Sequence, residues 1–407
     1  MNTSEIISLC NEYTMPNYAR KHVVLVRGKG SRVWDSEGKE YLDMFPGWGV
    51  DGLGHCHPRV VKAIREQAGT LLHVANDYYN DVQGRLAQLL STRSFGGQCF
   101  FCNSGAEANE AAIKLSRIAS PPEKFGIITT LNSFHGRTLT TVAATGQAKY
   151  KRGFEPLPPG FTHVPFGELG PLEDAVTDET CAVMVEPIQG EGGINIPTEK
   201  YLEGVRELCD ARGLFLIFDE VQTGMGRTGR MFAYQHFGVE PDIMTLAKML
   251  GGGVAIGATV ARKEIASHLV PSTHASTFGG NPLAARAAIA TIEAIEEEGL
   301  LENAASMGQR IMDSLARISE RVRGIREIRG KGLMIGAEMD FPATNLVLEC
   351  LKSGLLINCT HDTVVRFLPS MCITGKEVDE GMAIFEKVLA EHAKESAEQH
   401  TDTKAEA

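Results

Sequence analysis

An α/β fold is what this sequence predicts: a large domain on a mostly parallel central sheet flanked by helices, followed by a smaller α+β domain. Two observations carry that expectation. Through the middle of the chain, continuous apolar and often β-branched runs alternate with helix-period segments, the pattern of parallel strands covered on both faces. From Asn281 on, strong helix formers take over, and shorter strand-like pieces follow them. A chain of 407 residues has room for two or three domains.

The strand-like runs come in order as CFFCNSG (99–105), FGIITTLNSF (125–134), CAVMVEP (181–187), LFLIFDEV (214–221), DIMTLAK (242–248) and AIGATVA (255–261). Helical patterns stand between several of them, such as AEANEAAIKLSRIA (106–119) and EKYLEGVRELCDARG (199–213). The helical stretch after Asn281 breaks at Gly299, and GLMIGAEM, TVVRFLP and a helix around EVDEGMAIFEKVLAEHAKES complete the pattern. The expected division is an N-terminal segment, 1–55, packing with the small domain; a large α/β domain, 56–285; the small domain, 286–395; and a polar tail, 396–407, expected to be disordered.

Composition excludes several function classes. A net charge of −11 argues against nucleic-acid or anionic-membrane surfaces. No apolar run approaches the length of a membrane span. The opening MNTSEIISLCNEY has neither a basic leader nor a long apolar core, so it does not read as a secretory signal. Nine cysteines without framework spacing read as reduced thiols, hence a cytoplasmic protein.

Ligands in such folds bind beyond the carboxyl ends of the strands, so the residues that end each run are the candidates. Asp219 and Glu220 follow an apolar run directly, and Lys248 ends another. Each alone reads as a solvated strand end or a snorkelling lysine; together on one rim they are more telling. Ser104 and Glu107 have capping-box spacing, and Gly105 in the first helical turn hints at a bound phosphate. Phe134 and Arg137 end a further run, where an aromatic can stack on a flat ring and an arginine can clamp a carboxylate. GMGRTG (224–229) matches a dinucleotide-binding pattern, but no long helix follows it, so three turn glycines are the better reading. Cys99 and Cys102 form a C-x-x-C, and His55, Cys56 and His57 cluster. Without a second pair at ligand spacing both groups read as structural, and no metal is expected.

A lysine, a strand-end carboxylate, a glycine-opened helix and a rim aromatic together fit pyridoxal phosphate. A lysine holds its aldehyde as a Schiff base, a carboxylate keeps the pyridine nitrogen protonated, and a helix start takes the phosphate. With NSGAEANEAAIK, SFHGRT, VEPIQGEGG, FDEVQTGMGRTG, AKMLGGG and STFGGNPLA in order, the chain resembles the class III (ornithine-type) aminotransferases from about Tyr13 to His392. The resemblance implies the type I fold of pyridoxal-phosphate enzymes. It implies transfer of the terminal (δ) amino group of N-acetylornithine to 2-oxoglutarate, as in arginine biosynthesis. Alternatives are another ω-amine as donor, a catalytically silent relative, or a nicotinamide oxidoreductase resting on GMGRTG.

It also implies roles for residues. Lys248 would carry the cofactor and move the proton, Asp219 would pair with the ring nitrogen beside Glu220, and Gln222 would contact the ring hydroxyl. Val221 and Phe134 would sandwich the ring. Gly105 and Ala106 would offer backbone N–H groups to the phosphate. Thr277, with Ser276 beside it, would reach the phosphate from the partner subunit of a homodimer. Arg137 would bind a substrate carboxylate. Glu191 would mask Arg366 while the amino donor is bound, then release it for 2-oxoglutarate or glutamate. Trp48, Ala275 and His361 depart from the family's usual pattern around the acyl pocket.

Overall fold

The computed structural model describes the backbone of residues 1–405 and side chains as far as Lys394. Three sheets organise it. The first contains β1 (Leu25–Lys29), β2 (Arg32–Asp35) and β3 (Glu40–Asp43). The central sheet contains β4 (Gln98–Cys102), β5 (Gly126–Thr130), β6 (Phe161–Val164), β7 (Thr180–Val185), β8 (Phe215–Asp219), β9 (Ile243–Leu246) and β10 (Gly257–Ala261). The third contains β11 (Ile325–Lys331), β12 (Met334–Met339), β14 (Asn358–Thr360) and β15 (Val364–Phe367). The short β13 (Leu355–Leu356) joins the first sheet by pairing parallel with β3, so the N-terminal segment and the C-terminal part of the chain share a sheet.

The central sheet has the order β4-β10-β9-β8-β7-β5-β6. Its pairs from β9 to β6 are parallel, whereas β10 runs antiparallel to both β9 and β4. The reversal of β10 leaves six strands pointing one way, so β4, β5, β7, β8 and β9 deliver their carboxyl ends to one rim. β7 and β9 are buried along their whole length, as continuous apolar runs require. The third sheet is antiparallel throughout.

Several elements differ from expectation. β6 and the first sheet form where no strand was expected, because FTHV, LVRGK and EYLD are too short and mixed to show a strand period. The last helix runs Gly375–Ala405, through residues expected to be disordered. Ala, Glu, Gln and Lys in that stretch propagate a helix already begun. Glu406 and Ala407, also within the expected tail, lie outside the described residues. GMGRTG forms turns, with Gly226 and Gly229 at positive φ.

Candidate active site

A cavity of about 590 Å³ opens where those carboxyl ends meet. Asn103, Gly105, Ala106, Phe134, Arg137, Glu186, Glu191, Asp219, Val221, Gln222 and Lys248 line it.

Lys248 lies two residues beyond β9, at the start of a 3-10 turn (Lys248–Gly251), with φ at +43°. A non-glycine residue held there costs roughly 1–3 kcal/mol, and such strain concentrates at functional positions. Gly252 and Gly253 follow at φ +56° and +105° and turn the chain so that 253–256 also line the cavity, and a Cβ on Gly252 would meet Thr291 at 2.6 Å. Burial lowers the pKa of Lys248, while Glu191, Asp219 and Glu186 oppose the shift. A lowered pKa favours the unprotonated amine, the form that a nucleophile or base requires.

Asp219 ends β8 and is 3% exposed. Its Oδ2 accepts from Asn109 Nδ2 and lies 2.8 Å from His135 Nδ1, while its Oδ1 accepts from the Val221 N–H. Asn109 is itself held by Thr245, whose hydroxyl donates to Asn109 Oδ1 at 2.7 Å. The carboxylate is therefore fixed at a place where it can meet a cationic ring nitrogen.

Ser104 caps the helix Gly105–Ile118 by accepting from the Glu107 N–H. Glu107 reaches back to the N–H of Asn103, one residue before the cap. The N–H groups of Gly105 and Ala106 open this helix, and first-turn N–H groups have no intrahelical acceptor. A Cβ on Gly105 would stand 2.7 Å from Val221 Cγ1, so only glycine permits this close packing.

Phe134 and Val221 both line the cavity. The Arg137 guanidinium lies 4.1 Å from the Tyr150 ring centre and 5.4 Å from that of Phe134. No ion pair engages Arg137 among the described residues, leaving its donors open to a carboxylate. At the other side, Arg366 and Glu191 are both buried and form a bidentate pair. Asn358 Oδ1 and the Gly190 carbonyl accept the remaining guanidinium hydrogens. Burial opposes ionisation of Glu191, but Arg366 wins and holds its pKa below the ordinary value.

Three expected residues, Glu220, Ser276 and Thr277, lie outside the lining of this cavity. Glu220 does not reach the cavity: the alternation of β8 turns it away from Asp219. Its oxygens accept from Thr223 Oγ1 and the N–H groups of Ala233 and Tyr234. These bonds tie the turn after β8 to the Ala233–Tyr234 backbone, a structural role for a residue expected at the cofactor. Ser276 and Thr277 lie against a separate surface hollow, which shares Asn103 with the cavity. Sequence reasoning also left Asn109, His135, Glu186, Thr245 and Asn358 unassigned. Asn109 on a buried, alanine-rich helix face and Thr245 within an apolar strand were the available signals.

Residues 13–389 match the class-III aminotransferase family, and the chain belongs to it. An acetylornithine aminotransferase of Methanocaldococcus jannaschii is 51% identical over 395 residues, covering 96% of this chain and 99% of that relative. A solved N-acetylornithine aminotransferase from Stenotrophomonas maltophilia is 39% identical, with a TM-score of 0.83, covering 95% of this chain and 99% of that one. An ornithine aminotransferase from Toxoplasma gondii, solved with partial occupancy of pyridoxal phosphate at its active site, is 36% identical. Its TM-score is 0.92, covering 97% of this chain and 95% of that one.

Class III aminotransferases depend on pyridoxal phosphate, and the residues present here fit it. An amine of lowered pKa, a fixed carboxylate, a glycine-opened helix start and an aromatic face converge on one cavity. Among the described residues no cluster of histidine, cysteine or acidic side chains could hold a metal ion, and no helix is long and apolar enough to cross a membrane.

Proposed function

We propose that the protein transfers the terminal amino group of N-acetylornithine to 2-oxoglutarate. The observation that carries this reading is the combination of an open Arg137 with a masked Arg366 around Lys248. Pyridoxal phosphate, when bound, supplies the electron sink that lets a carbon bearing an amino group lose a proton. Lys248 would hold it and, once freed, move the proton. Asp219, fixed by Asn109 and His135, would keep the ring nitrogen protonated. Phe134 and Val221 would lie on the two ring faces, Gln222 would meet the ring hydroxyl, and the N–H groups of Gly105 and Ala106 would bind the phosphate.

Arg137 would hold the donor's single carboxylate. With Glu191 over Arg366, the inner part of the site is neutral, which suits a donor arriving by its amine. Glutamate and 2-oxoglutarate bring a second carboxylate, for which Arg366 must be released. Thr277, with Ser276, would complete the phosphate site of a second copy, making the active unit a homodimer. All nine cysteines are free thiols, which suits the cytoplasm.

The test offers N-acetylornithine, N-succinylornithine, N-succinyldiaminopimelate, ornithine and 4-aminobutyrate separately with 2-oxoglutarate and measures glutamate formed. N-acetylornithine is expected to have the highest kcat/KM. Another amine exceeding it tenfold would replace the donor assignment and leave the transaminase reading intact.

A further inference from the structure

Glu186 follows β7, is 5% exposed, lines the cavity, and makes no ion pair among the described residues. Its two oxygens are committed to two separate segments. Oε2 accepts from the Phe134 N–H at 3.1 Å, in the loop after β5, and Oε1 accepts from the Gly190 N–H at 3.1 Å. The Gly190 peptide is thereby held from both sides, because its carbonyl accepts from Arg366 Nη1 at 3.2 Å. A Cβ on Gly190 would lie 1.7 Å from Gln222 Oε1, so the turn is packed as tightly as glycine allows. One residue further on, Glu191 grips Arg366 through both oxygens.

We propose that Glu186 is a positioning residue: it ties the Gly190–Glu191 turn to the Phe134 backbone and thereby holds Glu191 over Arg366 for amino-donor binding. This rests on the reading above, in which Glu191 masks Arg366. The anchor is an unusual one. A carboxylate can accept both N–H groups at full strength, whereas a protonated carboxyl offers one poor acceptor and adds a donor facing a donor. Burial raises the pKa of Glu186 to about 7, with the Asp219 charge adding to the shift and His135 opposing it. Lys248, which lines the same cavity, feels the Glu186 charge in turn. Above neutrality the anchor is therefore at full strength, and it weakens as pH falls through about 7.

The test uses the holoenzyme of Glu186→Gln, whose amide can accept only one of the two N–H groups, with Glu191→Gln in parallel. Half-reaction kcat/KM is measured for N-acetylornithine and for glutamate. Calorimetry gives the affinity of glutarate, a five-carbon dicarboxylate with no amino or keto group to react. In Glu186→Gln the donor's kcat/KM is expected to fall about tenfold, while glutarate binds severalfold tighter and glutamate's kcat/KM rises with it. The wild type, needing no substitution, should bind glutarate more tightly as pH falls through about 7, and the variant should lose that dependence.

Equal losses for both substrates, or no change in their ratio, would overturn the positioning role. If Glu191→Gln shifts the ratio and Glu186→Gln does not, the anchor alone fails. If neither shifts it, the masking reading fails and takes this inference with it.

Discussion

Arg366 and Glu191 close on each other through two parallel contacts, Nη1 to Oε1 at 2.8 Å and Nη2 to Oε2 at 3.2 Å, with the guanidinium wholly buried. Two charges taken out of water together are stable only as a pair, so each is a strong constraint on the other.

Arg366→Leu should therefore destabilise the protein by about 3–5 kcal/mol, because Glu191 is left buried and unpaired. The double variant with Glu191→Leu should recover most of that loss, as read from urea midpoints. Under the proposed function, Arg366→Leu also raises KM for 2-oxoglutarate more than about a hundredfold, the loss of a charge-assisted bidentate contact, with a much smaller effect on the donor. Equal damage to both KM values would count against a switching pair.

Lys248→Met should abolish turnover and stabilise the cofactor-free protein at neutral pH by about 1–3 kcal/mol, the usual cost of an imperfectly compensated buried polar group. The sign follows from linkage. The folded-state pKa lies below the ordinary 10.5, so the unfolded chain binds more protons between the two values and wild-type stability rises with pH there. The advantage of Lys248→Met should shrink as pH approaches 10.5. Denaturation curves across that range check it; a constant difference would contradict it.

Glu220, pushed up to about 7 by burial, contributes in the opposite sense from a salt-bridged carboxylate. Its favourable contribution is complete below the ordinary 4.5 and is lost as pH rises through about 7. Glu220→Gln should flatten this part of the stability profile while leaving cofactor affinity within about twofold, since Glu220 touches the turn after β8 and not the cavity. A tenfold loss of cofactor affinity in a protein of unchanged stability would restore the original expectation.

Subunit complementation tests the shared site. Lys248→Ala and Thr277→Ala chains are each expected to be impaired. Mixed after reversible dissociation, they should regain up to about a quarter of wild-type activity, because half the dimers are mixed and one of their two sites is intact. No regain would argue that Thr277 serves its own chain or none.

Much of this protein was legible in its sequence. The α/β class followed from apolar runs such as CAVMVEP and LFLIFDEV, which are strands buried on both faces, and membership of the class III aminotransferases followed from six ordered motifs. Lys248 and Asp219 stood out because charge at the end of an apolar run needs a reason. Glu220 stood out for the same cause, yet it lies outside the cavity lining. Adjacent strand residues point to opposite faces, and nothing local says which of two neighbouring carboxylates faces the cavity.

What the sequence by itself determined is therefore the main strands and helices, the rim on which their ends meet, and the residue types placed there. Periodicity and strand-end chemistry are local properties, readable without coordinates. Tertiary structure decided the partners: that Asn109 and His135 converge on Asp219, that Asn358 and Glu191 enclose Arg366, and that Glu186 binds two loops at once. Asn109 and Asp219 stand 110 positions apart in the chain, and Glu191 and Arg366 stand 175 apart. Only the crossing of the strands, with β10 reversed among them, brings such distant groups within hydrogen-bonding distance.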